Sequence, residues 1–402
     1  MRNSRLVAAS IAAVIAVSGL VAVTTPAQAA VNYCKVENLA QAGGMDALVK
    51  AAKAEKELNL IAIPRDWANY GEAIDLYSKA FGIKINSDNP TGSSAQEIAA
   101  IKTAPASKQP DVVDIGISVL PDALGIGRKP LFAPYKVATW NDIPTQWKDS
   151  TGLWYGDYYG VLALSYDASI PKAPKSIKEV LTDPAYKGMF ALGGDPTGSQ
   201  QALLTLFAIS SAFGGSPTNL KPGIDALKAA KANGNYVPVL ANAANFAAGA
   251  YKISIDWDFN GPGTIDSFKK AGVTLKYVIP TDVALQGTPY VQAVNAKAPH
   301  CAAARLWQEF LYSQNKGKLT KDLTAADLKL SGSKLMKVIM GGQNIWALGA
   351  AHPITEVAMA KKKTLVAAPM GFGVPTTAKR VEPTSDQQVA QREFIATEWP
   401  KL

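Results

Sequence analysis

The chain reads as an α/β protein of more than one lobe, and three observations predict it. Short apolar runs of strand length alternate with amphipathic runs of helix length, the pattern of βαβ units on a mostly parallel sheet. The chain has 402 residues, too many for one ordinary hydrophobic core. No Gly/Ser-rich tether divides it, so the lobes are expected to share crossing strands.

The elements follow in order. Met45 to Lys56 is Ala- and Lys-rich and predicts a helix; Leu58 to Ile63 is a strand ended by Pro64. Tyr70, Ile74, Tyr77 and Phe81 recur at helical spacing, and Ile83 to Ile85 is the second strand. A helix is expected over Ser94 to Thr103 and a buried strand over Asp111 to Ser118. The scheme then repeats. Val161 to Ser165 is a strand, Ser176 to Leu181 a short helix and Met189 to Leu192 a strand. Ser199 to Phe213 predicts a long amphipathic helix and Ile224 to Lys231 another. Ile253 to Ile255 and Leu275 to Ile279 are strands, and Ala302 to Tyr312 is helical, with Leu306/Phe310 and Trp307/Leu311 as i, i+4 pairs.

The first residues carry an export signal. Arg2 and Arg5 precede an uncharged run from Leu6 to Val23, Pro26 breaks it, and Ala27-Gln28-Ala29 supplies the small-x-small cleavage pattern. Residues 1–29 are therefore expected to be a signal peptide; an uncleaved anchor is the alternative, because a run of about 18 apolar residues just spans a bilayer. Cys34 and Cys301 are the two cysteines. Oxidising compartments favour pairing, and only one intramolecular pairing exists; two separate buried thiols are the alternative. The 41 basic residues less Arg2 and Arg5 leave 39 against 32 acidic ones, a net charge of +7. Those charges are scattered, with Lys361-Lys362-Lys363 the densest cluster, so no nucleic-acid partner is expected.

Ligands of open α/β sheets sit beyond the carboxyl ends of strands. After the first strand comes Arg65-Asp66-Trp67, a cation, a carboxylate and an aromatic face; helix capping with Trp67 in the core is the plain alternative. Thr91-Gly92-Ser93 and Thr197-Gly198-Ser199 each open a helix, where unpaired amides bind anions or carbonyls and where Ser and Thr are equally good N-caps. Asp157-Tyr158 lies in the most aromatic stretch, Trp154 to Gly160. Asp256-Trp257-Asp258 ends a strand; alternation would put both carboxylates on one face and the indole on the other unless the chain turns there. An aromatic core with surface carboxylates is the alternative for both. His300 and His352 are the two histidines, and HExxH, GxSxG, P-loop and multi-cysteine metal patterns are missing. No catalytic residue, cofactor or metal is expected.

Four segments together resemble the extracellular solute-binding proteins of ABC importers, in the branch that includes ferric-iron, polyamine, thiamine and aminophosphonate binders. They are Tyr159 to Asp167, Asp183 to Met189, Asp195 to Ser199, and Val294 to His300 running into Ala304-Arg305-Leu306-Trp307. The resemblance covers about residues 55–320. It implies a type II periplasmic-binding-protein fold, two α/β lobes joined by crossing strands with the ligand between them. The expected division is 30–164 and 283–340 for lobe 1, 165–282 for lobe 2, and 341–402 as a helical region packing on both. It implies a secreted monomer that takes a small solute and passes it to an importer permease. The family's contact positions fall on Arg65-Asp66-Trp67, Thr91 to Ser93, Asp157-Tyr158, Thr197 to Ser199 and Asp256 to Asp258, the loops already chosen. The iron binders' adjacent tyrosines have no counterpart in the second lobe; Tyr158-Tyr159 comes too early. The solute expected is an organic cation such as a polyamine, with aspartates 66, 157, 256 and 258 neutralising it and Trp67, Tyr158 and Trp257 as an aromatic cage. A phosphonate or phosphate ester held by Arg65 and the Thr197–Ser199 amides, or ferric iron, is the rival; a secreted hydrolase using Asp256 and Asp258 is the rival of another class.

Overall fold

The computed structural model describes residues 31–125, 129–270, 272–283, 285–348, 351–355 and 380–402. The expected signal peptide lies outside them.

The chain builds one sheet, crosses to a second, and returns. Helix α1 (Met45–Glu55) leads to β1 (Glu57–Ile61), α2 (Tyr70–Phe81) and β2 (Lys84–Asp88), which pairs parallel to β1. Helix α3 (Ser94–Thr103) is fixed by a capping box between Ser93 and Gln96, then comes β3 (Val112–Gly116). Asp111 N–H donates to Asn59 O at 2.9 Å and brings β3 beside β1. After α4 (Leu120–Leu124) and β4 (Phe132–Ala133) the chain enters β5 (Tyr155–Asp167), thirteen residues and nearly all buried.

β5 belongs to both sheets. Its first half, to Val161, pairs antiparallel with the later strand β10 (Leu285–Asn295), which itself pairs with β3 and β4. Its second half, from Leu162, pairs with β8 (Ile253–Trp257) on one side and β9 (Leu275–Val278) on the other. Between them the chain adds α5 (Ile177–Thr182), β6 (Phe190–Leu192), α6 (Gln200–Ala212), α7 (Lys221–Asn233), β7 (Tyr236–Leu240), α8 (Ala243–Ala247) and α9 (Gly261–Lys270). β6 pairs parallel to β7 and β8. β1 and β2 are thus parallel, as are β6, β7 and β8, while β5 and β10, running out and back between the lobes, are antiparallel to each other, β5 also to β8 and β9 and β10 also to β3 and β4. That is the correction to a mostly parallel sheet. α6 also differs from expectation: Gln200 and Ala202 to Ser210 are all buried, because the helix packs against α5, α7, β8 and β10 at once.

The return through α10 (Cys301–Tyr312) is covalently fastened. Cys34 and Cys301 are joined as a disulfide, Cα atoms 5.0 Å apart, and buried Arg305 donates to the carbonyls of Val36, Cys301 and Cys34. Next come α11 (Gly332–Val338), α12 (Gly342–Ala347), β11 (His352–Pro353) on the edge of β5, β12 (Arg380–Val381) beside β10, α13 (Ser385–Ala390) and α14 (Arg392–Glu398). The last segment touches both lobes. Ser385 Oγ donates to Ile117 O at 3.0 Å and Arg392 pairs with Asp122 at 2.9 Å on lobe 1. On lobe 2, Gln391 donates to Thr218 O at 3.1 Å and Lys228 pairs with Glu398 at 3.1 Å.

Candidate ligand cleft

A cavity of about 630 Å³ opens between the lobes, in the range of small-molecule sites. Its rim on lobe 1 is the loop after β1 and the loop after β2. Ala62, Ala68, Asn69 and Asn89 hold left-handed backbone there, a conformation that non-glycine residues adopt at a cost and that clusters at binding sites. Lobe 2 contributes the turn from Gly193 to Ser199, the end of β8, and an aromatic chamber of Phe246, Tyr251, Phe268, Leu275 and Tyr277.

Eight of the expected contacts line this cleft: Asp66, Trp67, Thr91, Ser93, Thr197, Gly198, Ser199 and Asp256. The starts of α3 and α6 face each other across it, since a Cβ on Gly198 would meet Ala95 Cβ at 3.6 Å. Both helix starts are already capped, Ser93 accepting from Gln96 N and Ser199 from Ala202 N at 3.3 Å. Asp195 accepts from Thr197 N and Thr197 Oγ1 within its own turn.

Five expected contacts stand elsewhere. Arg65 points outward and pairs with Asp75 at 2.6 Å, both exposed. Asp157 and Tyr158 are fully buried beneath the floor, because β5 is interior to its sheet. Trp257 is buried and stacks on Phe259, centroids 5.6 Å apart. Asp258 leaves the cleft because the chain does turn after Trp257, into a 3₁₀ turn over Asp258–Asn260. It accepts from Val161 N at 2.9 Å and meets His352 Nε2 at 2.6 Å. The two aspartates do not share a face. Asp256 remains in the cleft wall, where Trp257 N, Gln201 Nε2, Asn260 Nδ2 and Tyr277 Oη all donate to it; burial nevertheless holds its carboxyl above the usual range.

The floor is aromatic and acidic. Trp67 packs edge-on to Tyr290 with centroids 5.7 Å apart, and its Nε1 donates to Tyr158 Oη at 2.7 Å. Two cleft residues were not visible in the sequence as site residues. Asp114 sits mid-strand in β3, where a carboxyl among apolar neighbours carries no loop signal. Tyr290 lies on β10, a strand obscured by Gly287 and Pro289. Asp114 is 5 % exposed, and burial lifts its carboxyl to about 7 against the pull of two tyrosine donors. Among the described residues no three His, Cys, Asp or Glu side chains converge as a metal would require, and no helix is long and apolar enough to cross a membrane.

Two mixed α/β sheets sharing crossing strands, with a solute-sized cleft at the crossing, define a periplasmic binding protein of type II. A family model described as a bacterial extracellular solute-binding protein matches residues 111–329, more than half of the chain. The chain belongs to that family: it is an extracellular or periplasmic solute-binding protein of a transporter and a non-enzymatic one, which sets the hydrolase reading aside. Solved structures agree on the fold. A periplasmic thiamin binding protein is 17 % identical with a TM-score of 0.59, covering 86 % of this chain and 95 % of that one. A periplasmic binding protein from Actinobacillus pleuropneumoniae, with exogenous fructose-6-phosphate bound, is 17 % identical with a TM-score of 0.58, covering 86 % and 98 %. A ferric binding protein from Campylobacter jejuni is 14 % identical with a TM-score of 0.55, again covering 86 % and 98 %. No curated protein matches the sequence.

Proposed function

We propose that this binding protein captures a small organic cation and hands it to an ABC importer permease by hinge closure. One observation carries the reading. Among the described residues lining the cleft are five carboxyl side chains, Asp66, Glu97, Asp114, Asp195 and Asp256, and no lysine, arginine or histidine. In a chain with an excess of basic residues, a basic-free cleft favours positive charge by simple Coulomb attraction. Trp67 and Tyr290 add aromatic faces, which attract cations further, and the lobe 2 chamber suits carbon. Asp157, Tyr158, Trp257 and Asp258, expected as direct contacts, act in this reading as the support under the floor.

The lobes are 30–164 with 283–340, and 165–282, with 341–402 packing on both; β5 and β10 are the hinge. Ligand touching both lobes favours the closed arrangement, which the permease reads. The protein acts as a monomer. A phosphonate or phosphate ester is the second reading, favoured by the facing starts of α3 and α6; the outward turn of Arg65 weakens it. A thermal-shift comparison of spermidine and phenethylamine with phenylphosphonate, alongside mass spectrometry of solute co-purified with the native protein, tests the choice. Stabilisation by an amine supports the cation. Stabilisation by the phosphonate alone refutes it.

A further inference from the structure

Three buried carboxyls lie together on the lobe 1 side of the cleft: Glu97, Asp114 and Asp157, exposed by 1, 5 and 0 %. Their hydrogen bonds fix where the charge sits. Tyr70 Oη lies 2.9 Å from Asp114 Oδ2 and 3.0 Å from Asp157 Oδ2, and receives Gln292 Nε2 at 2.9 Å. A phenol has one hydrogen to give. Gln292 Nε2 also reaches Asp157 Oδ2, at 3.2 Å, and both phenol contacts become full hydrogen bonds when one of the two carboxyls carries a proton and donates it to the phenol oxygen.

The proton belongs on Asp157. That carboxyl is the more deeply buried, 0 % exposed against 5 % for Asp114, and desolvation together with the neighbouring Asp114 raises it well above the usual carboxylate range. Asp157 then donates to Tyr70, and Tyr70 donates to Asp114. Tyr158 Oη, which receives Trp67 Nε1, gives its own hydrogen to Asp114 Oδ2 at 3.1 Å. Asp114 Oδ2 thus collects two donors, whereas Asp114 Oδ1 is buried with no hydrogen-bond partner, on a residue that lines the cleft. An unpaired buried carboxylate oxygen is costly, and a positively charged N–H donor is the chemistry that would satisfy it.

We propose that Asp114 Oδ1 anchors a protonated nitrogen of the solute, and that the solute is therefore a primary or secondary ammonium, not a quaternary one. This rests on the cationic reading above and adds the residue and the type of nitrogen. Quaternary nitrogen satisfies aromatic faces but offers no hydrogen. The groups facing Asp114 are Tyr70 from α2, Glu97 from α3 (whose carboxyl accepts Asp114 N at 3.0 Å), Asp157 and Tyr158 from β5, and Tyr290 from β10. None is basic. Asp114 must be ionised to hold an ammonium, and an amine stays charged across neutral pH, so affinity rises between pH 6 and pH 8 and levels off above.

The test is isothermal titration of the full mature chain with phenethylamine, phenethyltrimethylammonium and phenylphosphonate as probes, at pH 6, 7 and 8. Expected are tighter binding of the primary amine than of its trimethyl analogue, and a loss of roughly ten- to a hundredfold for the primary amine in Asp114→Asn. The same variant should lose the pH dependence and the preference for N–H, while Asp225→Asn, exposed on α7 and outside the cleft, keeps both. Asn is close to isosteric, and near-UV circular dichroism checks its fold; should it not fold, the pH profile of the unaltered protein decides, a flat profile overturning the anchor. Equal binding of the primary amine by Asp114→Asn overturns the anchor and leaves the cationic reading standing. Binding of phenylphosphonate alone overturns both. If no probe binds, infrared titration decides: a protonated carboxyl band persisting at pH 8 and lost in Asp157→Asn supports the charge arrangement, and its absence overturns it.

Discussion

Replacing Glu309 by glutamine should make the protein more stable, and only at neutral to alkaline pH. Glu309 lies on α10, is 4 % exposed, and accepts from Tyr135 Oη at 2.8 Å and Ala138 N at 3.1 Å. Burial lifts its carboxyl to about 7 from 4.5, against the pull of those two donors. A carboxyl raised on folding keeps its proton longer in the native state than in the unfolded one. The stability it contributes is therefore full below about 4.5 and is lost progressively as pH rises to about 7. At about 1.4 kcal/mol per pH unit over that interval, the loss is about 3 kcal/mol. Glutamine reproduces the protonated acid: its carbonyl accepts from Ala138 N and its amide donates to the Tyr135 oxygen. With roughly 2.1 cal/mol/K of unfolding entropy per residue, about 370 residues convert 3 kcal/mol into roughly 4 °C. Melting curves at pH 5 and pH 8 are the assay. The variant should match the parent at pH 5 and melt roughly 4 °C higher at pH 8. A difference that does not change with pH would refute the reasoning.

Other perturbations follow from the same contacts. Changing Cys34 and Cys301 to serine removes a link spanning 267 residues and should cost about 2–5 kcal/mol, read as a lower urea midpoint that reductant no longer shifts. Asp256→Ala strips the acceptor from four donors and should cost about 2–4 kcal/mol; an unchanged chemical-denaturation curve would mean that Asp256 serves ligand alone. His300 is raised by its bond to Asp111, so its stabilisation is present below about 6.5 and fades as pH climbs through the folded value. His300→Ala should therefore lower the melting temperature more at pH 5.5 than at pH 8.5. Arg392→Ala frees Asp122 and Ser118 O; amides of 385–402 should exchange roughly 5- to 30-fold faster with little change in global melting.

Much of the fold was legible because local signals were complete. Ser94 to Thr103 is found with its predicted limits because Ser93 and Gln96 spell out a capping box. α9 escaped notice because Gly261-Pro262-Gly263 reads as a turn, although proline fits the first turn of a helix. β10 escaped because Gly287 and Pro289 interrupt its apolar pattern, and its pairing with β5 shifts register near Pro289. The cleft was legible at loops, where binding chemistry stands out against a scaffold. It was illegible wherever side-chain direction depended on one backbone turn, as at Asp258, or on a strand being interior on both faces, as at Asp157 and Tyr158. Asp114 shows the converse. A carboxyl inside a buried strand looks like an anomaly in sequence, and only the hydrogen-bond count shows that its Oδ1 is left without a partner.

The disulfide also governs the order in which the molecule can be made. An exported chain emerges amino-end first, and Cys34 has no partner until Cys301 follows it across. By then all but about the last quarter of the chain has been delivered, β10 has only just arrived to complete the sheet of β3 and β5, and oxidation must wait. Until that moment the sheet of lobe 1 lacks its central strand β10, and covalent closure reports that this strand has been delivered.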